Sequence, residues 1–286
     1  MTIGIPRAFY YYKYGVLWQT FFSELGCRVV VSDHTNEETY QNGARHSIGE
    51  CCLPAKVFMG HVAALVGKCD YILAPFVQRG KGGHAYCTRF WGIYDVLRHT
   101  HRGEQLLQLP LESKSAFHKI AKQLGKGSLA YKAYQSADSE QKSYDSKCQT
   151  SHSQKLGCTQ PKVLLAGRPY VMHDPYIGGA VARILSALGC TVLYSNQFAG
   201  AAEYAADVCH GLYWSETKNA IGATVANSSN ISGAIFLTVF PCAPDALAWE
   251  MATRNIKNLP ITTLLLDGLH GDAGLETRLE SFVDML

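Results

Sequence analysis

The chain alternates strand-like and helix-like segments, and this alternation occurs twice. Strand-like runs of apolar and β-branched residues, such as residues 28–32 and 70–75, are separated from helix-like stretches by short connectors. Such a pattern predicts βαβ units and parallel sheets. The predicted strands are 2–6, 28–32, 70–75, 162–166, 190–194, 234–240 and 261–266; the predicted helices are 10–25, 36–42, 54–67, 176–188, 199–208, 213–225 and 275–285. The sequence therefore predicts an α/β fold.

Length and composition divide the chain into three parts. A chain of 286 residues can form two compact domains. Residues 113–160 are rich in Lys, Ser, Gln and Tyr, which predicts a helical segment followed by a linker. The linker is expected at 136–160, where the apolar residues show no clear periodicity. We expect an N-terminal α/β domain at 1–112, the helical segment and linker at 113–160, and a C-terminal α/β domain at 161–286.

The charge balance bears on which partners the chain can bind. With 26 Lys plus Arg against 23 Asp plus Glu, the net charge of +3 gives no case for binding nucleic acid or an anionic membrane. No apolar run approaches the roughly 20 residues that span a bilayer, and the first residues do not form a secretory signal. We expect a cytoplasmic protein whose ten cysteines are reduced thiols.

Two cysteines share a Cys-x-Pro pattern, Cys52 with Pro54 and Cys242 with Pro244, and both precede helix-like stretches. Proline is common in a first helical turn, so both thiols are expected at helix N-termini. The unpaired N–H groups and the positive end of the helix dipole there favour thiolate, which is the form that binds metal. Cys242 is also expected just beyond the C-terminal end of a strand, where α/β sheets bind ligands.

Seven motifs together resemble the acyl-CoA dehydratase activase-related proteins, a group similar to the 2-hydroxyacyl-CoA dehydratases and the double-cubane cluster proteins. The motifs include Glu-Cys-Cys-Leu-Pro-Ala-Lys at 50–56, Cys-Thr-Arg-Phe-Trp-Gly at 87–92 and Phe-Pro-Cys-Ala-Pro-Asp at 240–245. The others lie at residues 3–8, 12–15, 60–61 and 274–280. The resemblance covers nearly the whole chain outside 113–160.

This resemblance implies two flavodoxin-like or Rossmann-like domains that hold an iron–sulfur cluster between them. The implied ligands are Cys52, Cys87 and Cys242, and the implied cofactor is a 4Fe–4S cluster or half of a double cubane. It further implies electron supply by a separate ATP-hydrolysing activase, and a homodimer or related subunit as partner. The expected function is low-potential electron transfer or reduction of a small or acyl-CoA-type substrate. No catalytic residue is assigned, and a dehydratase- or reductase-like component is the favoured interpretation.

The chain departs from the family pattern in three places. Cys51 precedes the first implied ligand and could replace Cys52. Pro241 and Ala243 stand in place of two glycines beside Cys242, and residues 267–272 lack the glutamate that is expected after the aspartate. These changes leave the implied ligand set intact.

Several residues near the implied ligands could influence a cluster. Lys56 and Arg89 lie one turn or less from ligands, where a cation would stabilise the reduced state. The segments Arg168-Pro-Tyr170 and Asp174-Pro-Tyr176 follow the first strand of the second domain. Turn chemistry from their prolines explains these two segments equally well.

Alternatives to the cluster remain open, because cysteine intervals of 35 and 155 residues match no compact ferredoxin pattern. A zinc site could use Cys51 or Cys52 with His61, His84 and Cys87. A cysteine hydrolase could use Cys242 with His270 and Asp272. A non-catalytic electron-transfer or assembly subunit and a cluster-free binding protein are the remaining functional alternatives.

Overall fold

The computed structural model describes residues 1–77, 86–101, 105–111, 113–198, 200–268 and 272–286. The chain forms two compact units, Met1–Asp145 and Ser146–Leu286. Each unit contains a four-stranded sheet in which every strand is parallel to its neighbours, with helices around it. The predicted α/β fold class is confirmed.

The first unit alternates strands and helices throughout. Its elements are β1 (Thr2–Ile5), α1 (Tyr11–Glu24), β2 (Arg28–Val31), α2 (Glu37–Arg45), α3 (Leu53–Leu65), β3 (Tyr71–Phe76), α4 (Thr88–Thr100), β4 (Leu106–Pro110), α5 (Lys114–Gln123) and the start of α6 (Ala130–Leu156). The strand order is β2-β1-β3-β4. The predicted strands and helices up to β3 are present, whereas α4 and β4 were not predicted.

The second unit has the same strand order, β6-β5-β7-β8. Its elements are β5 (Lys162–Ala166), α7 (Pro169–Met172), α8 (Gly179–Ala187), β6 (Thr191–Tyr194), α9 (Ser215–Ala226), β7 (Gly233–Val239), α10 (Ala243–Asn255), β8 (Ile261–Leu266) and α11 (Asp272–Val283). Residues 201–207, within the helix predicted at 199–208, form a 3₁₀ helix rather than an α-helix. Every residue of β7 is buried, as expected for a central strand with both faces covered.

Helix α6 corrects one expectation, because it continues to Leu156 where the sequence predicts a linker. Its buried positions in the first unit carry Ala130, Ala133 and Ala137, so the helical stripe consists of small residues that give little hydrophobic period. Gln141 extends this stripe: its Oε1 accepts from the N–H of Leu17 and its Nε2 donates to the carbonyl of Lys13. Within the described ranges no helix, α6 included, is long and apolar enough to cross a bilayer.

Close helix contact in each unit depends on glycine. A Cβ atom on Gly60 of α3 would lie 1.9 Å from the carbonyl oxygen of Thr39, and one on Gly43 of α2 would lie 1.7 Å from that of Lys56. In the second unit a Cβ atom on Gly222 of α9 would lie 1.7 Å from the carbonyl oxygen of Ala201. These separations are far below a van der Waals contact, so only glycine allows the backbones to approach this closely.

We expect Gly60→Ala to destabilise the first unit by roughly 1–3 kcal/mol, because the added methyl group must push α2 away from α3. Gly92→Ala is the matched control, since Gly92 is also helical and a Cβ atom there would meet nothing within 4 Å. That control should be neutral or stabilise the unit by about 0.5–1 kcal/mol. Urea denaturation of both variants measures the difference, and equal midpoints would contradict the close contact.

Candidate functional site

The strand order of each unit creates one preferred ligand edge. In the first unit the chain leaves the central strands β1 and β3 toward opposite sides of the sheet, and in the second unit it leaves β5 and β7 in the same way. This arrangement opens a crevice at the C-terminal ends of the two central strands. Cys87 and Cys242 occupy equivalent places there: each follows the third strand of its unit and is the N-cap residue of the next helix. The predicted position of Cys242 beyond a strand end is confirmed.

The first unit brings together three cysteines at the starts of two helices. Cys52 is the N-cap residue of α3, as predicted, and Cys87 is the N-cap residue of α4. Cys51 and Cys87 are near enough for their charges to influence the Cys52 thiol. Two of the implied ligands therefore lie close together in this unit, with Cys51 beside them.

The expectation that helix N-termini make these thiols acidic is wrong for Cys52 and Cys242. Burial raises the pKa of Cys52 to about 11, and the charges of Cys51 and Cys87 add to this although a backbone hydrogen bond opposes it. Burial and then the charge of Asp245 raise the pKa of Cys242 to about 12. Loss of solvation thus outweighs the helix dipole, and both thiols are protonated near neutral pH without a metal.

The two predicted cations lie beside Cys51. Nη1 of Arg89 is 3.8 Å from Sγ of Cys51, and Nη2 donates to the carbonyl oxygen of Glu50 at 3.1 Å. Burial raises the pKa of Cys51, while the charges of Arg89 and Lys56 lower it. Arg89 therefore links the start of α4 to the loop that precedes α3.

Cys242 lies beside a buried ion pair in the second unit. Nε and Nη2 of Arg168 donate to the two carboxylate oxygens of Asp245 at 2.7 and 2.9 Å. Thr217 Oγ1 also donates to Asp245 at 2.8 Å, and Nη1 of Arg168 donates to the hydroxyl of Tyr170 at 3.3 Å. Although burial opposes it, Arg168 holds the pKa of Asp245 below its usual value. Cys242, Asp245 and Arg168 thus form one interacting cluster.

The second predicted segment, Asp174-Pro-Tyr176, forms a turn. The Asp174 carboxylate accepts hydrogen bonds from the N–H groups of Tyr176 and Ile177 at 2.9 and 3.2 Å. An aspartate that binds the backbone two and three residues later stabilises a turn. The turn interpretation of Asp174-Pro-Tyr176 therefore holds, whereas Arg168 belongs to the cluster around Cys242.

His61 does not supply a free metal ligand. It is almost fully buried in α3, with Nδ1 2.9 Å from Ser32 Oγ and Nε2 2.9 Å from Thr35 Oγ1. Burial, and next the positive charge of Arg7, lower its pKa to about 3. Both ring nitrogens are therefore engaged in the core, which removes His61 from the zinc alternative. His84 and His270 lie outside the described residues, as does the side chain of Asp272.

Among the residues that the structure describes, no group of three His, Cys, Asp or Glu side chains has a metal-binding arrangement. The donor type nevertheless fits an iron–sulfur cluster, because Cys52, Cys87 and Cys242 are thiols at helix starts and clusters are held by thiolates. At Cys52 and Cys242, metal binding would replace the protons that burial retains on the sulfurs.

Sequence reasoning missed the partners of the implied ligands. Asp245 and Arg168 belong to separate sequence motifs, and no motif contains Thr217. An arginine in the loop after a central strand needs a buried counter-charge, which is a signal that could have identified Asp245.

A family model for the CoA enzyme activase uncharacterised domain (DUF2229) matches residues 2–197, more than half of the chain. The chain belongs to this activase-related family. The resemblance to the acyl-CoA dehydratase activase-related proteins is thereby confirmed. The matched range of this activase-related chain includes Cys52 and Cys87 and ends before Cys242. A search of curated proteins gave no significant match.

Two solved structures show only weak similarity to this activase-related chain. The SBP FpvC of P. aeruginosa in complex with Ni²⁺ is 14% identical, with 99% of this chain and 94% of that chain covered and a TM-score of 0.29. ZnuA is 12% identical, with 99% and 98% covered and a TM-score of 0.24. Scores this low carry no argument about fold or function.

We expect the stability of the first unit to fall as pH decreases below about 6.5, because His61 takes up a proton only after unfolding. Its folded pKa of about 3 lies below the usual 6.5, so the unfolded state binds more protons between these values. The loss should be about 1.4 kcal/mol per pH unit in that window. Urea denaturation at several pH values measures it. His61→Gln, which does not titrate, should have a flatter profile; identical slopes would contradict the prediction.

We expect Arg168→Met to destabilise the second unit by about 3–5 kcal/mol, because it leaves the Asp245 carboxylate buried without its counter-ion. Arg254→Met is the matched control, since Arg254 lies in α10, the helix that contains Asp245, and forms an exposed pair with Glu250 at 2.6 Å. Removal of that pair should change stability little. Hydrogen exchange of α10 peptides compares the two, and similar losses in both variants would show that the buried pair contributes no more than the exposed one.

Proposed function

We propose that this chain is an iron–sulfur protein of an ATP-dependent, low-potential reduction system, with Cys52, Cys87 and Cys242 as cluster ligands. One observation carries the proposal: Cys87 and Cys242 are the N-cap residues at equivalent places in two units with the same strand order. Cys52 adds a second thiol beside Cys87. Membership of the CoA enzyme activase family supports the same chemistry.

A bound cluster would supply one-electron transfer, and the protein would supply its thiolates and their charge environment. Because the thiols of Cys52 and Cys242 are protonated near neutral pH, cluster binding must release their protons. The Asp245 carboxylate would disfavour added negative charge near Cys242 and so would lower the reduction potential of a bound cluster. Arg168 opposes this effect. The Arg168–Asp245 ion pair would thus set the balance of positive and negative charge beside Cys242.

The proposed electron donor is a separate ATP-hydrolysing activase, and the acceptor is a small or acyl-CoA-type substrate. The description of the family as a CoA enzyme activase domain supports a partner of this kind. We propose that the system operates in the cytoplasm and that the chain pairs with a second copy or a related subunit. In this proposal the chain is a dehydratase- or reductase-like component.

A non-catalytic electron-transfer subunit is the second candidate, and Cys51 favours it. Its sulfur lies beside Arg89 and within electrostatic reach of Cys87. A fourth thiolate from Cys51 would complete the coordination of a 4Fe–4S cluster and leave no iron open to substrate. The cluster would then only relay electrons to a partner.

We expect anaerobically reconstituted protein to contain about four irons and four acid-labile sulfides per chain. Serine replacement of Cys52, Cys87 or Cys242 should each lower the iron content strongly, because a serine hydroxyl is a much weaker iron ligand than a thiolate. Replacement of Cys209 by serine is the control, since that thiol is buried in the core of the second unit. Iron and sulfide assays with EPR of the reduced protein measure the result.

Cys51→Ser separates the two candidates. Unchanged iron content and an unchanged EPR spectrum would favour the substrate-binding component, whereas a changed spectrum would favour the relay with Cys51 as ligand. Negligible iron in the unaltered protein after reconstitution would refute both candidates and leave a cluster-free binding protein.

A further inference from the structure

The loops that follow β1 and β5 each contact the helix that begins after a proposed cluster ligand. In the first unit this loop contains Phe9, and in the second it contains Arg168. Each side chain contacts the third residue of the helix that follows a cysteine: Phe90, three residues after Cys87, and Asp245, three residues after Cys242. In both units a side chain of this loop therefore contacts the first turn of the helix after the cysteine, although the two pairs differ chemically.

The first-unit pair is an aromatic contact that also includes α3. The Phe9 ring packs edge-on against Phe90 at a centroid distance of 4.4 Å and stacks on Phe58 at 4.7 Å. Phe58 lies in α3, which begins after Cys52, and Phe90 lies in α4, which begins after Cys87. The Phe9 ring thus contacts both α3 and α4, the helices whose N-cap residues are Cys52 and Cys87.

The backbone at Phe9 holds this ring in place. Its φ angle is +51°, in the left-handed region that non-glycine residues rarely adopt. Tyr10, the next residue, also packs against Phe90 at 5.1 Å and against Tyr86 at 6.0 Å. Strained residues of this kind persist where the surroundings fix them, and they are frequent at functional sites.

The second-unit pair is an ion pair with defined geometry. Arg168 binds both carboxylate oxygens of Asp245, and both side chains are almost fully buried. Two parallel hydrogen bonds between a guanidinium and a carboxylate fix orientation as well as distance. Thr217 Oγ1 donates to the same carboxylate, so the first turn of α10 is also connected to α9.

We propose that Phe9 and Arg168 are equivalent positioning residues, which fix the first turns of α4 and α10 and thereby the sulfurs of Cys87 and Cys242. The proposal deepens the proposed function, because it names the residues that place two of the cluster ligands. Its test does not require a cluster, so the failure of either idea can be recognised separately.

The experiment measures the alkylation rate of each cysteine by iodoacetamide in the full chain after chelator treatment, with quantitative mass spectrometry. We expect Phe9→Leu, which keeps an apolar side chain but lacks the ring faces, to raise the rate at Cys87 several-fold and to leave Cys242 unchanged. Arg168→Lys, which keeps the charge but loses the paired hydrogen bonds, should raise the rate at Cys242 several-fold and leave Cys87 unchanged. Alkylation depends on access to the thiol and on its thiolate fraction, and both increase when a buried site loosens.

Buried cysteines serve as internal references for general unfolding, Cys27 in the first unit and Cys209 in the second. Their rates should stay constant in both variants. Phe21→Leu and Arg254→Lys are the matched controls, because Phe21 is a buried ring that packs on Phe117 and Arg254 is exposed in α10. Neither control should change the rate at Cys87 or Cys242.

Two results would overturn the proposal: unchanged rates at Cys87 and Cys242 in the variants, or increases no larger than those of Cys27 and Cys209. The iron content of the reconstituted variants gives a separate result. A protein that binds no iron but shows the selective alkylation pattern would refute the cluster and leave the positioning role standing.

Discussion

The parallel arrangement of every strand is the constraint on which the candidate site depends. Parallel neighbours need a crossover connection, so all strand ends of one kind lie at the same edge of the sheet. In both units the chain leaves the central strands toward opposite sides, which opens the sheet edge only at that point. Residues distant in sequence, such as Arg168 and Asp245, meet there because the topology leaves them one common place.

The thiols show how burial and backbone dipoles compete at this edge. A helix N-terminus contributes a partial positive charge that falls off within the first turn. The loss of solvation acts on the whole charge of a thiolate, and at Cys52 and Cys242 it dominates. A site of this kind holds neutral thiols when it is empty of metal and becomes anionic only when a cation replaces the protons. The same burial that disfavours free thiolates therefore disfavours their reaction with other electrophiles.

Much of the fold could be predicted, because strand and helix periods are local properties of the sequence. The strands from β1 to β3 and from β5 to β8 follow from runs of branched apolar residues. The first part of α6 lies in the predicted helical segment, but the part from residue 136 to Leu156 was predicted as a linker, because its mostly exposed polar residues give no apolar period. The positions of Cys52 and Cys242 at helix starts followed from proline in the first turn. Their pKa values did not, since burial is a property of the folded chain.

The two units reach similar local geometry with different physical interactions, and the difference has consequences for the cysteines. The contact of Phe9 with Phe58 and Phe90 depends on shape and burial, and aromatic rings tolerate a range of offsets and tilts. The contact of Arg168 with Asp245 is directional, because two hydrogen bonds fix the carboxylate plane. It also places a full negative charge beside Cys242, which the aromatic contact does not do at Cys87. The loops after β1 and β5 thus place an aromatic contact near one cysteine and an ion pair near the other.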